Sequence, residues 1–134
     1  MARSLVTTIE AANAALLVDG DLDAIGEFFA PDYAGHLTDR DIEGHAAIRR
    51  FLVALRRALP DLEVEVEILL RGENRVAWQR RLRGAHTGDY AGFPATGRTI
   101  VWRDMLTSRF RRGLIAEEWA VSELAERLLL ARKR

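Results

Sequence analysis

Apolar residues recur with a helical step over roughly the first sixty positions and with a strand step over most of the rest. Leu5, Ile9, Ala12 and Leu16 form one face of an amphipathic helix, and Gly20 is placed to end it. Asp21 is positioned to cap a shorter helix that turns Leu22, Ile25 and Phe28 or Phe29 inward, with Pro31 as its stop. Residues 31–42 read as a loop or short strand. A third helix carries Ile48, Phe51, Leu52, Leu55 and Leu59 on one side and ends at Pro60.

From Leu62 the period becomes two. Leu62, Val64, Val66 and Ile68 point one way, and Glu63, Glu65 and Glu67 point the other. Residues 75–83 and 98–110 predict two more strands. Gly113 suits a hairpin loop at 111–113, residues 114–122 pair back, and Ser122 can cap a last helix over ELAERLLLA. Helices followed by a meander of strands predict an α+β fold, with helices packed on one face of a curved antiparallel sheet and the whole chain, 1–134, as one domain.

Composition narrows the chemistry. Acidic and basic residues balance at 20 each, so no net field draws the chain to nucleic acid or membrane. The basic pairs at 49–50, 56–57, 80–81 and 111–112 and the terminal ARKR read as solvated faces. The absence of cysteine excludes disulfides, thiol catalysis and cysteine-based zinc sites. His36, His45 and His86 lie far apart without metal-ligand spacing, so no metal is expected. The N-terminus lacks a clear signal-peptide pattern and no run approaches spanning length, so a cytoplasmic protein is expected.

Strand parity singles out the charged candidates. Ile100, Trp102, Asp104, Leu106, Ser108 and Phe110 share one face, on which Asp104 is the lone charge; Val76, Trp78, Arg80 and Leu82 share another, on which Arg80 is the lone charge. Buried charges are paired or line a wet cavity. An unbulged hairpin at 111–113 sets Asp104 opposite Ala120 and Leu106 opposite Glu118, making Glu118 a diagonal neighbour of Asp104. Two carboxylates sharing such a cavity with an arginine separate into acid and base. Two alternatives stand beside this. An Arg80–Asp104 salt bridge could simply order the sheet. The more apolar odd set, Ile115, Trp119 and Val121, would turn Glu117 inward instead of Glu118.

The ordered set PDY (31–33), His36, the Gly44-His45 start of helix three, EVEVE (63–67), RVAW (75–78), RGAHTGDYAGFPATGR (83–98) and GLIAEEWAV (113–121) resembles the SnoaL-like polyketide cyclase and ester cyclase family. The resemblance implies the nuclear-transport-factor-two-like fold, a cone-shaped α+β barrel with a deep pocket. It implies metal-free and cofactor-free acid/base chemistry on a hydrophobic polyketide-like molecule, and a homo-oligomer. It also implies that the His86–Gly97 block is the loop between two long strands at the cone. In the family's cyclases the acid/base Asp follows the Trp of the G-x-I-x-E-x-W strand, where this chain has Ala120, and a polar partner sits where it has Leu106. The aldol mechanism therefore does not carry over.

The resulting site expectation is Asp104, Glu118 and His36 as catalytic groups, with His36 at the pocket mouth. Trp102, Arg80, Trp78, Leu106, Ser108 and His86 would contact substrate. One function is a cyclase, isomerase or epoxide-opening enzyme; the other is a non-catalytic small-molecule binder or accessory protein. A homodimer is expected through the outer sheet face, where Val101, Met105, Ile115, Trp119 and Val121 would lie.

Overall fold

A computed structural model describes residues 4–132, so Lys133 and Arg134 of the terminal basic cluster lie outside the described residues. Helix α1, Leu5–Ala12, starts at Ser4, whose hydroxyl accepts the Thr7 amide at 3.1 Å. The helix then widens into a π turn, Asn13–Val18, closed by the Asp19 amide on the Ala14 carbonyl. Arg56 donates to the Leu17 and Val18 carbonyls at its end. A single 3₁₀ turn, Leu22–Ala24, and a short α2, Ile25–Phe28, follow; the Asp21 side chain makes no capping bond.

Of the two readings of residues 31–42, loop or short strand, the strand holds for most of the segment, which begins the sheet. Strand β1, Phe29–His36, runs straight through Pro31, which sits where the β1 ladder is interrupted and no amide is needed. Strand β2 is Asp41–Glu43 and α3 is Gly44–Ala58. Then come β3 Glu63–Arg71, β4 Arg75–Ala85, β5 Thr99–Arg111, β6 Leu114–Ser122 and α4 Leu124–Arg132. The six strands lie in the order β2-β1-β6-β5-β4-β3. Every described pairing is antiparallel except β1 with β6, which is parallel, so the sheet is mixed. It is curved and open, with β2 and β3 at its edges, rather than a closed barrel.

The helices bury Ile9, Leu16, Leu17, Ile48, Leu52, Leu55 and Leu128 in one cluster with the inward sheet residues Val76, Trp78, Leu82, Ile100, Trp102 and Phe110. The β5–β6 register corrects the expected pairing. Phe110 faces Ile115, but Arg109 faces Glu117, so Ala116 is an extra, bulged residue. The hairpin is also one residue tighter than expected, with Arg111 facing Leu114 across Arg112 and Gly113; turn and bulge together set Asp104 opposite Ser122, not Ala120, and Leu106 opposite Ala120, not Glu118. The bulge also resolves the parity conflict: Ile115 and Glu118 both point inward, at 2% and 7% exposure, while Trp119 and Val121 point out. Ile115 thus leaves the outer apolar set.

The glycine-rich segment between β4 and β5 is tied to the end of α3. Thr87 and Gly88 amides both donate to the Ala58 carbonyl, at 3.0 and 3.1 Å. A Cβ on Gly88 would lie 2.6 Å from the Arg57 carbonyl oxygen, so only glycine permits this approach. At the tip, Ala91 and Gly92 both take positive φ, making a tight turn between Tyr90 and Phe93, whose rings pack on the core.

Candidate functional site

Two polar clusters interrupt the apolar interior, each built on the inward row of β5. At the first, Arg80 faces Asp104 across β4 and β5, and its Nε donates to Asp104 Oδ2 at 2.9 Å. Arg80 Nη1 donates to Asn13 Oδ1, also at 2.9 Å, and Asn13 Nδ2 in turn donates to the Ile9 carbonyl. The guanidinium lies over the Trp78 ring, 5.5 Å from its centroid. Asp104 is 6% exposed, and its Oδ1 has no hydrogen-bond partner among the described residues. One oxygen of this carboxylate is thus committed to arginine and the other is a buried acceptor left over.

The second cluster surrounds Glu118. Tyr33 Oη donates to Oε1 at 2.9 Å and Ser108 Oγ donates to Oε2 at 2.6 Å. Trp78 Nε1 donates to Ser108 Oγ at 2.9 Å. Burial pushes the Glu118 carboxyl above the usual carboxylate range, against the Ser108 and Tyr33 bonds and the nearby Arg80 charge, which pull it down. Burial, and then Glu118 itself, push the Tyr33 phenol upward.

Asp104 and Glu118 are not neighbours. Glu118 faces Ser108, four positions along β5 from Asp104, on the order of 13 Å of extended chain. Leu106 and Ala120 face each other between them as an apolar floor. A groove of about 640 Å³ lies on the outer face of the sheet, lined mainly by the outward Glu65, Glu67, Gln79, Arg81, Val101 and Arg103; it borders Arg80 and Trp102 but neither Asp104, Tyr33 nor Glu118.

The three histidines lie apart from both clusters. His36 is on the outer face, not at an interior mouth, because β1 alternates and Tyr33 and Gly35 are its inward residues. Its Nε2 meets Glu117 Oε2 at 2.7 Å, its Nδ1 meets Asp41 Oδ1 at 3.1 Å, and its ring stacks on Trp119. Hydrogen bonds to the Glu117 and then the Asp41 carboxylate raise its pKa, and the same His36 bond, ahead of the Arg109 bond, lowers that of Glu117. His86 is fully buried at the root of the loop; Thr96 donates to its Nδ1, leaving Nε2 as an N–H without a partner among the described residues, and burial lowers its pKa. It is six residues beyond Arg80, roughly 20 Å along an extended strand. His45 donates to the Phe29 carbonyl at 2.8 Å.

Two residues of these clusters escaped the sequence reading. Tyr33 was hidden because 31–42 read as a loop or short strand with no clear alternation to sort its faces. Asn13 carried a legible signal, a polar residue four positions after Ile9 on the apolar helix face.

A family model for SnoaL-like polyketide cyclases matches residues 7–129. The chain belongs to this family. Among curated proteins none matches it significantly. Solved structures share the fold along nearly the whole SnoaL-like chain. IdmH from Streptomyces antibioticus, proposed to be a polyketide cyclase, is 27% identical with a TM-score of 0.82, over 98% of this chain and 100% of its own. A protein from Jannaschia sp. CCS1 proposed to be a SnoaL-like polyketide cyclase is 25% identical, TM-score 0.80, over 94% and 93%. AclR from Streptomyces galilaeus, proposed to be a hydroxylase, is also 25% identical, TM-score 0.79, over 98% and 99%. The α+β fold is the nuclear-transport-factor-two-like one of these SnoaL-like relatives. No described helix is long and apolar enough to cross a membrane.

Proposed function

We propose that this chain is a cofactor-independent acid/base enzyme of the polyketide cyclase type, acting on a hydrophobic polyketide-like molecule by cyclisation, isomerisation or epoxide opening. The observation that carries this reading is the Asp104 carboxylate: one oxygen is fixed by Arg80 and the other is buried without a partner. A buried acceptor with no donor is costly, and a substrate C–H or O–H supplied to it would meet a base already oriented. Asp104 Oδ1 takes that proton. Glu118, pushed towards its neutral form, belongs to the acid side of the site, and the substrate rests on Leu106 and Ala120 between the two. Both steps are proton transfers that side chains supply. In this arrangement the acids flank the positions at which the family's cyclases carry their polar pair. Trp78 and Trp102 supply apolar walls, and His36 and His86 take no part.

A second reading, a non-catalytic binder of the same class of molecule, draws on one specific observation: both Glu118 oxygens and one Asp104 oxygen are already bonded within the protein. A screen of aromatic and epoxide-bearing polyketide fragments separates the two. Turnover of a bound fragment by the parent protein, reduced about 10²–10⁴-fold in Asp104→Asn, supports the enzyme. Binding without turnover supports the binder.

A further inference from the structure

We propose that Asn13 is a positioning residue for the Asp104 base: by holding Arg80 Nη1 from the end of α1, it keeps the arginine on one carboxylate oxygen and leaves the other uncovered. This rests on the acid/base reading above and deepens it.

An arginine beside a carboxylate commonly forms a fork, two parallel N–H···O bonds that occupy both oxygens. Arg80 is placed to make one. It faces Asp104 directly across β4 and β5, and both side chains are mostly buried. Nε already donates to Oδ2 at 2.9 Å, and Nη2 lies on the same edge of the guanidinium as Nε–H, so a turn of the group would bring it to Oδ1. That turn is not made. Oδ1 is buried without a hydrogen-bond partner among the described residues. A buried acceptor left open beside a donor able to fill it is costly, so something holds the donor back.

Asn13 is the hold. Nη1 projects from the other edge of the guanidinium and donates to Asn13 Oδ1 at 2.9 Å. The amide cannot flip. The Ile9 carbonyl only accepts and the guanidinium only donates, so Nδ2 must go to the first, at 2.8 Å, and Oδ1 to the second. Asn13 is itself buried, on the helix face that carries Ile9, Ala12, Leu16 and Leu17, so its own position is fixed by packing. Trp78 lies under the guanidinium, 5.5 Å from the ring centroid, but a flat ring supports either turn and does not choose between them.

The consequence is chemical. A closed fork would spend Oδ1 on a guanidinium N–H, and removal of a substrate proton would compete with that bond. Held on one side, Arg80 balances the carboxylate charge through Oδ2 and leaves the Oδ1 lone pairs to the substrate. Asn13 touches neither the substrate nor the proton and acts through Arg80.

Crystal structures test the geometry without a ligand. In Asn13→Leu, Arg80 should turn until Nη2 is within hydrogen-bond distance of Asp104 Oδ1. Asn13→Ser, whose hydroxyl can bond the Ile9 carbonyl but is too short to reach Nη1, should give the same result and serves if the leucine variant does not fold. Arg80 unmoved in these variants, or already forked in crystals of the parent, overturns the proposal. The second measurement is exchange of the α-protons of β-tetralone in D₂O. Asn13→Leu should lower kcat on the order of 10²-fold with KM unchanged. On an Arg80→Lys background, where an ammonium cannot form the fork, the same substitution should cost little. Equal losses on both backgrounds would mean that Asn13 merely satisfies a buried donor, and overturn the positioning role. Exchange stopped by Asp104→Asn but normal in Asn13→Leu also overturns it and leaves the acid/base reading intact. Exchange no faster than buffer, or unchanged in Asp104→Asn, counts against that reading instead, while the crystal structures still decide whether Asn13 holds the fork open.

Discussion

Ser108 and Glu118 stand opposite each other in the β5–β6 ladder, and their side chains meet in a 2.6 Å hydrogen bond. The pairing depends on Ala116, the extra residue that turns Glu118 inward and Trp119 outward. Two buried acids consequently keep different company, one an arginine and the other a tyrosine and a serine.

The Arg80–Asp104 pair is mostly buried, with side chains 14% and 9% exposed. Removing one partner of a buried pair leaves the other charge uncompensated and costs about 3–5 kcal/mol, whereas replacing both by apolar groups is often neutral. Asp104→Asn should therefore lower Tm as well as turnover. The double variant Arg80→Met/Asp104→Leu should recover much of the Tm and none of the turnover. Thermal unfolding of the three proteins beside a turnover assay checks this; turnover regained with Tm would make the pair structural.

Glu118 titrates higher in the folded protein than in the unfolded chain because burial disfavours its charge. The native state then holds a proton that the unfolded chain has released. Its contribution is complete below the unfolded value of about 4.3 and is lost as pH rises towards the folded one. Glu118→Gln should flatten that decline. Glu117, lowered chiefly by the His36 bond, acts in the opposite sense, its contribution fading as pH falls, and this limb should persist in Glu118→Gln. Urea unfolding across pH for both proteins measures each slope.

We expect a homodimer through the outer sheet face. Met105, Trp119 and Val121 are 49%, 38% and 64% exposed there, and Met105 and Val121 are direct cross-strand partners. An apolar patch of this kind marks an interaction surface. Val121→Lys should shift light-scattering mass from dimer to monomer with the fold unchanged by circular dichroism. A parent protein that is monomeric at micromolar concentration refutes the interface.

Gly88→Ala should loosen the glycine-rich loop, since the new Cβ would meet the Arg57 carbonyl oxygen at 2.6 Å. Backbone has to move, at a cost of about 1–3 kcal/mol. Amide hydrogen exchange should accelerate at Thr87 and Gly88, whose bonds to Ala58 are broken, while the β4–β5 amides remain protected.

The sequence by itself determined the helix-then-strand order, strands β3 to β6 nearly to their ends, and the inward placing of Arg80, Asp104 and Ser108. Those follow from local periodicity, because a strand that buries one face must write alternation into its residues. It also determined family membership, through motifs spread over most of the chain. Tertiary structure decided the rest. Strand β1 carries Pro31 and weak alternation, so its parallel place beside β6, and with it Tyr33, came from packing against distant residues. The Ala116 bulge has no signature in a run of apolar and acidic residues, yet that one residue turned Glu118 inward beside Ser108 and left Trp119, with His36 against it, on the outer face. Register between strands is a property of two segments at once, and a one-residue slip changes every face that follows it.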